Sequence, residues 1–143
     1  MTGNAPKNPI NASEMAQHLL LVEDNPVFAA QLSEAVAQLA GKWAVSHYPT
    51  GQMALAAIST PEACFSLALI DVGLPDMSGV EVIRAYRNHF PDMPIVVISV
   101  IAAEHSVLNA IRAGANGYIL KSHSIAQIAH DVTQVLDGIY PLS

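Results

Sequence analysis

Cysteine is almost missing from this sequence: Cys64 stands alone, so neither an intrachain disulfide nor a cysteine metal cluster can form, and a reducing compartment suits the chain. Cys64 itself is expected as buried filler between a helix and a strand. Basic residues are scarce as well. Six Lys and Arg against twelve Asp and Glu leave a formal charge of -6, too few cations and too scattered for the basic stripe that neutralises nucleic-acid phosphates, so no direct nucleic-acid binding by this chain is expected. Long apolar runs are absent. The longest nearly apolar stretch, Ile95 to Ala103, is broken by Ser99 and falls far short of the ~18 residues that a bilayer span requires. Met1 to Gln17 is polar with Asn and Pro and lacks the basic start and apolar block of a secretory signal, so the expected location is the cytoplasm. The six histidines include no H-x-x-x-H pair, which excludes the usual zinc spacing. Met53, Met77 and Met93 are expected to fill gaps in apolar packing.

What is present is a chain of 143 residues, 52% hydrophobic and only 13% charged. That length accommodates one domain, and that composition suits strands buried on both faces. His18 to Val22 is an apolar run of strand length ending in Glu23 and Asp24. Asn25-Pro26 then gives an N-cap with proline at the first helical position, and Phe28, Leu32, Ala35, Val36 and Leu39 recur at helical spacing until Gly41. Trp43 to Tyr48 predicts a second strand, and Thr50-Gly51 opens a small helix that Pro61 stops. Ser66 to Asp71 is a third apolar run, followed by a loop marked by Gly73, Pro75 and Asp76. Ser78 and Glu81 read as a capping box for a helix to about His89. Ile95 to Ile98 is a buried strand ending at Ser99, and a helix over about Ala103 to Arg112 ends at Gly114. Gly117 to Leu120 is the fifth strand, with Lys121 at its tip. Ser124 and Gln127 form another expected capping box, and Ile125, Ile128, Val132, Val135, Leu136 and Ile139 make one apolar helical face.

Five successive β-α units without an internal repeat imply a parallel sheet with right-handed crossovers. The predicted fold is α/β, a doubly wound, five-stranded, flavodoxin-like (βα)5 domain. The expected layout is a polar, disordered leader over 1–17, the domain over 18–138, and the start of a linker over 139–143.

The polar residues carry the chemistry by where they fall. Glu23 and Asp24, Asp71, Ser99 and Lys121 end strands one, three, four and five, each directly after an apolar run. The carboxyl ends of parallel strands share one edge, so these residues should converge there. Three acids, a hydroxyl and an ammonium make a phosphoryl-transfer site. Mg²⁺ takes oxygen ligands, usually one or two carboxylates with phosphate oxygens and water. Asp24 and Asp71 supply such carboxylates, a backbone carbonyl just after Asp71 adds an oxygen, and Glu23 acts through water. Lys121 offers a mobile charge and Ser99 a donor for phosphoryl oxygens. Any one acid alone is more often a solvated or capping residue; four such coincidences at strand ends in the right chemical order favour a site.

The segments L-L-L-V-E-D-N-P (Leu19 to Pro26), L-I-D-V-G-L-P-D-M-S-G (Leu69 to Gly79), P-I-V-V-I-S (Pro94 to Ser99) and G-A-N-G-Y-I-L-K (Gly114 to Lys121) closely resemble the receiver domains of two-component response regulators. The wording is most similar to receivers of LuxR-type helix-turn-helix transcription regulators. The resemblance implies that Asp71 accepts a phosphoryl group from a sensor histidine kinase or phosphotransfer protein, that Asp24, Asp71 and the Gly73 carbonyl ligate Mg²⁺, and that Glu23 is an outer-shell acid. It implies that Ser99 and Tyr118 are a switch pair, that phosphorylation drives a surface change or a homodimer, and that the only catalysis is of the domain's own phosphorylation and dephosphorylation. Ser122 stands where many relatives have proline after the lysine, so a trans peptide is expected there. Gly73 and Ile101 occupy positions that the family uses to tune acyl-phosphate hydrolysis. Three other readings share the architecture: a receiver that works alone by docking on another protein, a flavodoxin-like cofactor binder, and an aspartyl phosphohydrolase. The cofactor binder wants a Gly, Ser and Thr-rich loop after strand one, where this chain has acids. The hydrolase wants a second acid two residues after the nucleophile, where this chain has Gly73.

Overall fold

A computed structural model describes residues 16–60, 64–100 and 105–139. The chain alternates strand and helix throughout: β1 (Ala16–Val22), α1 (Pro26–Ala37), β2 (Lys42–Tyr48), α2 (Gly51–Ala57), β3 (Leu67–Asp71), α3 (Gly79–His89), β4 (Ile95–Ser99), α4 (His105–Ala113), β5 (Gly117–Leu120) and α5 (Ile125–Leu136). All strand pairings are parallel, and the sheet order is β2-β1-β3-β4-β5. The chain thus steps outward from β1 to β2, then crosses back to β3 and continues the other way. That reversal opens a crevice between the carboxyl ends of β1 and β3.

Period-two alternation in the strands distributes their side chains between two cores. Leu19, Leu21, Leu67, Leu69, Val96, Ile98 and Ile119 face α1 and α5, meeting Phe28, Leu32, Val36, Ile128, Val132 and Val135. Leu20, Val22, Ala68, Ile70, Ile95 and Val97 face α2, α3 and α4, meeting Val82, Ile83, Tyr86, Val107 and Ala110. Every residue of β3 and β4 is buried, and each buried Val, Leu or Ile contributes roughly 1.5–3 kcal/mol. This two-sided burial is why these strands read as unbroken apolar runs. β2 lies at the edge and is half exposed.

The elements match the expected order, with local differences. β1 begins at Ala16 rather than His18, because Ala16 and Gln17 extend the ladder to Lys42 and Trp43. The rest of the expected leader, the expected start of α4 at Ala103 and the position of Ile101 fall outside the described residues. α1 closes at Ala37, with Gln38 as its cap. Gly138, at φ 84°, ends α5, and Ile139 beyond it is exposed instead of completing the apolar face. Ser124 caps α5 as expected, accepting from the Gln127 N–H, whereas Ser78 caps α3 by accepting from the Val80 N–H and not from that of Glu81, so the expected Ser78–Glu81 box does not form. The reciprocal half of the second box does not form, because the Gln127 amide donates to Asp131 instead. Cys64 is exposed rather than buried. Its neighbour Phe65 packs half-buried against the core instead, with its ring 4.8 Å from His18, 6.2 Å from Tyr86 and 6.4 Å from Phe90. Met53 is also exposed, since α2 is short and buries only Gly51, Ala54 and Ala57. The peptide bond after Lys121 is trans.

Candidate functional site

β1 delivers Glu23 and Asp24 to the rim of the crevice, and β3 delivers Asp71 beside them. A carboxylate oxygen from each of the three lies within 4.8 Å of the others. The three differ in environment: Glu23 is fully buried, Asp71 almost so, and Asp24 exposed. β5 brings Lys121 across the top of β4, its backbone N–H donating to the Ser99 carbonyl at 2.8 Å. Its ammonium donates to Asp71 Oδ2 at 2.9 Å and to Glu23 Oε2 at 3.3 Å, and sits 5.1 Å from the centre of the Phe28 ring, a cation–π position. Ser99 is buried at the tip of β4. Tyr118 pairs in register with Val97, half-buried against the α2–α4 layer, two residues short of the strand's tip.

Local chemistry fixes the two buried acids. The Asn25 N–H donates to Glu23 Oε2 at 3.0 Å, while the Asn25 side chain caps α1 by accepting from the Val27 and Phe28 N–H groups. The His47 Nε2 atom lies 2.7 Å from the Glu23 carbonyl oxygen, tying β2 to the same rim. The Gly73 N–H donates to Asp71 Oδ1 at 2.8 Å, so the loop after β3 folds back onto the acid it follows. Burial pushes the Glu23 carboxyl up to about 7, and the charge of Asp71 adds to the rise, against the opposing Asn25 N–H and the Lys121 ammonium. Lys121 loses by partial burial but gains more from Asp71 and Glu23, so its pKa is raised and it remains a cation.

This donor set fits Mg²⁺. The oxygens are hard, convergent and more negative than one lysine offsets. Glu23 Oε1 is buried 3.2 Å from the Lys121 ammonium but has no aligned hydrogen bond, leaving an acceptor for a hydrated cation.

The profile of the response regulator receiver domain matches residues 19–133. The chain belongs to that family. It is 33% identical over 88 residues to the DNA-binding transcriptional activator DevR/DosR of Mycobacterium tuberculosis, covering 62% of this chain and 41% of that protein. It is 30% identical over 110 residues to the probable transcriptional regulatory protein TcrX of the same organism, covering 77% of this chain and 45% of that one. The chain therefore spans less than half the length of these relatives. Among solved structures, the BeF3-activated receiver domain of DrrB, from Thermotoga maritima, superposes with a TM-score of 0.73 at 27% identity, covering 86% of this chain and 99% of that one. A CheY-like receiver domain from Methanospirillum hungatei gives a TM-score of 0.75 at 24% identity over 87% of this chain and 97% of that one, a likeness of fold. The chain is thus a receiver domain of the two-component response regulators, with a phospho-accepting role in signalling, and receiver domains bind Mg²⁺ at an acidic pocket of this kind.

All the acids and the lysine expected at strand tips meet in one crevice. Sequence reasoning missed the contributions of Phe28, His47 and Asp76. Phe28 reads as core from its helical spacing, and His47 as one more scattered histidine. Asp76 reads as a loop marker, yet its carboxylate reaches the start of α2.

Proposed function

We propose that Asp71 is the phosphoryl acceptor of this receiver domain and that Lys121, Asp24, Glu23, Ser99 and the Gly73 carbonyl form the machinery around it. The observation that carries this reading is the 2.9 Å contact between the Lys121 ammonium and Asp71 Oδ2 at the mouth of the β1–β3 crevice. A carboxylate oxygen of Asp71 attacks the phosphorus of a phosphohistidine on a sensor kinase or phosphotransfer protein. The new P–O bond forms as the P–N bond breaks, and the imidazole leaves with its electron pair. Asp71 is held for this attack by the Gly73 N–H on Oδ1 and by Lys121 on Oδ2. Lys121 stays charged and moves with the reacting oxygens, offsetting the charge that spreads over them. Asp24, Asp71 and the Gly73 carbonyl would hold Mg²⁺, with Glu23 acting through water, and the ion would supply charge neutralisation for the phosphoryl oxygens.

Ser99, buried at the neighbouring strand tip, donates to the phosphoryl group, and Tyr118 answers by moving further into the α4–β5 region. The domain extends from Ala16, where β1 begins, to 138, with a linker beginning at 139. Its output is transcriptional control, by likeness to DevR/DosR and TcrX, exerted by a phosphorylation-driven surface change or homodimer and not by DNA contact from this acidic domain. The domain works in the cytoplasm, and no described helix is long and apolar enough to cross a membrane.

Incubation with acetyl phosphate and Mg²⁺, followed by mass spectrometry, tests the acceptor. The parent gains one phosphoryl group and Asp71→Asn gains none while keeping its fold. Full labelling of Asp71→Asn removes Asp71 from the role.

A further inference from the structure

Asp76 spans two elements that are 25 residues apart: Oδ1 accepts the Gly51 N–H at 2.8 Å and Oδ2 accepts the Gln52 N–H at 2.9 Å. These two donors at the head of α2 hold the carboxyl below the usual range. Around this contact the loop after β3 is tightly seated. Gly73 bridges antiparallel to Ser78, closing the loop on itself. A Cβ on Gly51 meets Met77 Cγ at 2.5 Å, and one on Gly79 meets the Asp71 carbonyl carbon and Val72 Cα at 2.8 Å. The head of α2, the 72–78 loop and the backbone of Asp71 are therefore packed without slack, and Asp76 is the polar tie between the first two.

We propose that Asp76 is a positioning residue for Mg²⁺ binding: its carboxylate fastens the loop that carries Gly73 to the head of α2, and so holds the metal-binding edge of the Asp71 site in place. The inference rests on the reading of Asp71 and Gly73 as metal ligands. Thr50 caps a different donor of the same helix, its Oγ1 accepting the Met53 N–H at 3.2 Å, so the two residues share the capping of α2 and only Asp76 also reaches the loop after β3. The distinguishing feature of Asp76 is that it caps from the loop side.

Thr50 supplies the control. Thr50→Ala weakens α2 without touching the loop, whereas Asp76→Ala cuts the tie. Mg²⁺ titrations of the 143-residue chain by calorimetry, with the Gly73 amide shift followed by NMR, compare the parent, Asp76→Ala, Asp76→Asn and Thr50→Ala, each with a thermal melt. Asp76→Ala should weaken Mg²⁺ by about tenfold, the lower range for losing an outer support of a metal site. Asp76→Asn, which keeps one acceptor oxygen, should fall between it and the parent. Thr50→Ala should melt earlier with parental Mg²⁺ affinity. The loss in Asp76→Ala should persist in high salt, which screens the mere removal of a charge. Parental affinity in Asp76→Ala, an equal loss in Thr50→Ala, or a loss that vanishes in high salt overturns the proposal. Should Asp76→Ala fail to fold, Asp76→Asn alone decides it by the same readings. A parent chain that takes up no Mg²⁺ overturns the reading of the site itself and this inference with it.

Discussion

Lys121 and Asp71, 50 residues apart in the chain, meet with the ammonium 2.9 Å from Oδ2 because β3 and β5 flank β4 and end at the same edge. Removing the ammonium leaves Asp71 and Glu23 without their shared cation. Lys121→Ala should slow labelling by acetyl phosphate about a hundredfold, in line with losing one preorganised charge at a reacting oxygen. It should also blunt the spectral change that beryllofluoride produces in the parent. Parental rates in this variant would detach Lys121 from the chemistry.

Asp24 and Glu23 are adjacent in sequence but unequal in setting, one exposed and one fully buried beneath Lys121. A direct ligand is worth more than one acting through water. Asp24→Ala should therefore lower Mg²⁺ affinity about a hundredfold and Glu23→Gln about tenfold. A calorimetric titration in which the two losses are equal, or reversed, contradicts the ranking.

How much of this was legible in advance follows from the range of each interaction. β3 and β4 were readable because burial on both faces leaves no polar position inside them until the strand tip, and β5, an edge strand with Tyr118 and Leu120 half-buried, was readable from its short run between Gly117 and Lys121. The same rule made Asp71, Ser99 and Lys121 stand out, since a polar residue directly after such a run lies at the sheet's edge. The contacts of Asp76 with α2, of His47 with the Glu23 carbonyl and of Lys121 with the Phe28 ring left no such mark. Each joins segments whose spacing carries no period, and each appears only once the strands are in register. The incomplete second capping box shows the same limit on a short scale: Gln127 was placed correctly in the chain, but Asp131, one turn further along, holds its side chain.

Gly79 and Gly73 flank the same loop and should respond unequally to a methyl group. A Cβ at Gly79 runs into the backbone of Asp71 and Val72, whereas at Gly73 the nearest atom is Asp71 Oδ1 at 3.6 Å, an ordinary contact. Neither glycine has a positive φ. Gly79→Ala should cost about 1–3 kcal/mol, the range for overpacking, and Gly73→Ala should stay within about 0.5 kcal/mol of the parent. Urea midpoints measure both, and a tolerated Gly79→Ala would mean that the loop gives way more easily than its packing indicates.

Glu23 makes the metal-free domain sensitive to pH in a direction opposite to that of a paired surface acid. Its carboxyl is raised to about 7 when folded, from an ordinary value of 4.5, with burial as the leading cause. Between those two values the folded chain holds a proton that the unfolded chain has released. The unfolded state binds fewer protons, so stability falls as pH rises through this window, by roughly 1.4 kcal/mol per pH unit at the steepest. The contribution is fully present below the unfolded value and is gone above the folded one. Glu23→Gln mimics the protonated form at every pH, so its stability should lack this slope. Urea denaturation of both proteins without Mg²⁺, at intervals from pH 4.5 to 7, should show the variant gaining on the parent as pH rises, with most of the difference in place at neutrality. Parallel curves would mean that Glu23 is ionised throughout and that Lys121 and the Asn25 N–H outweigh its burial.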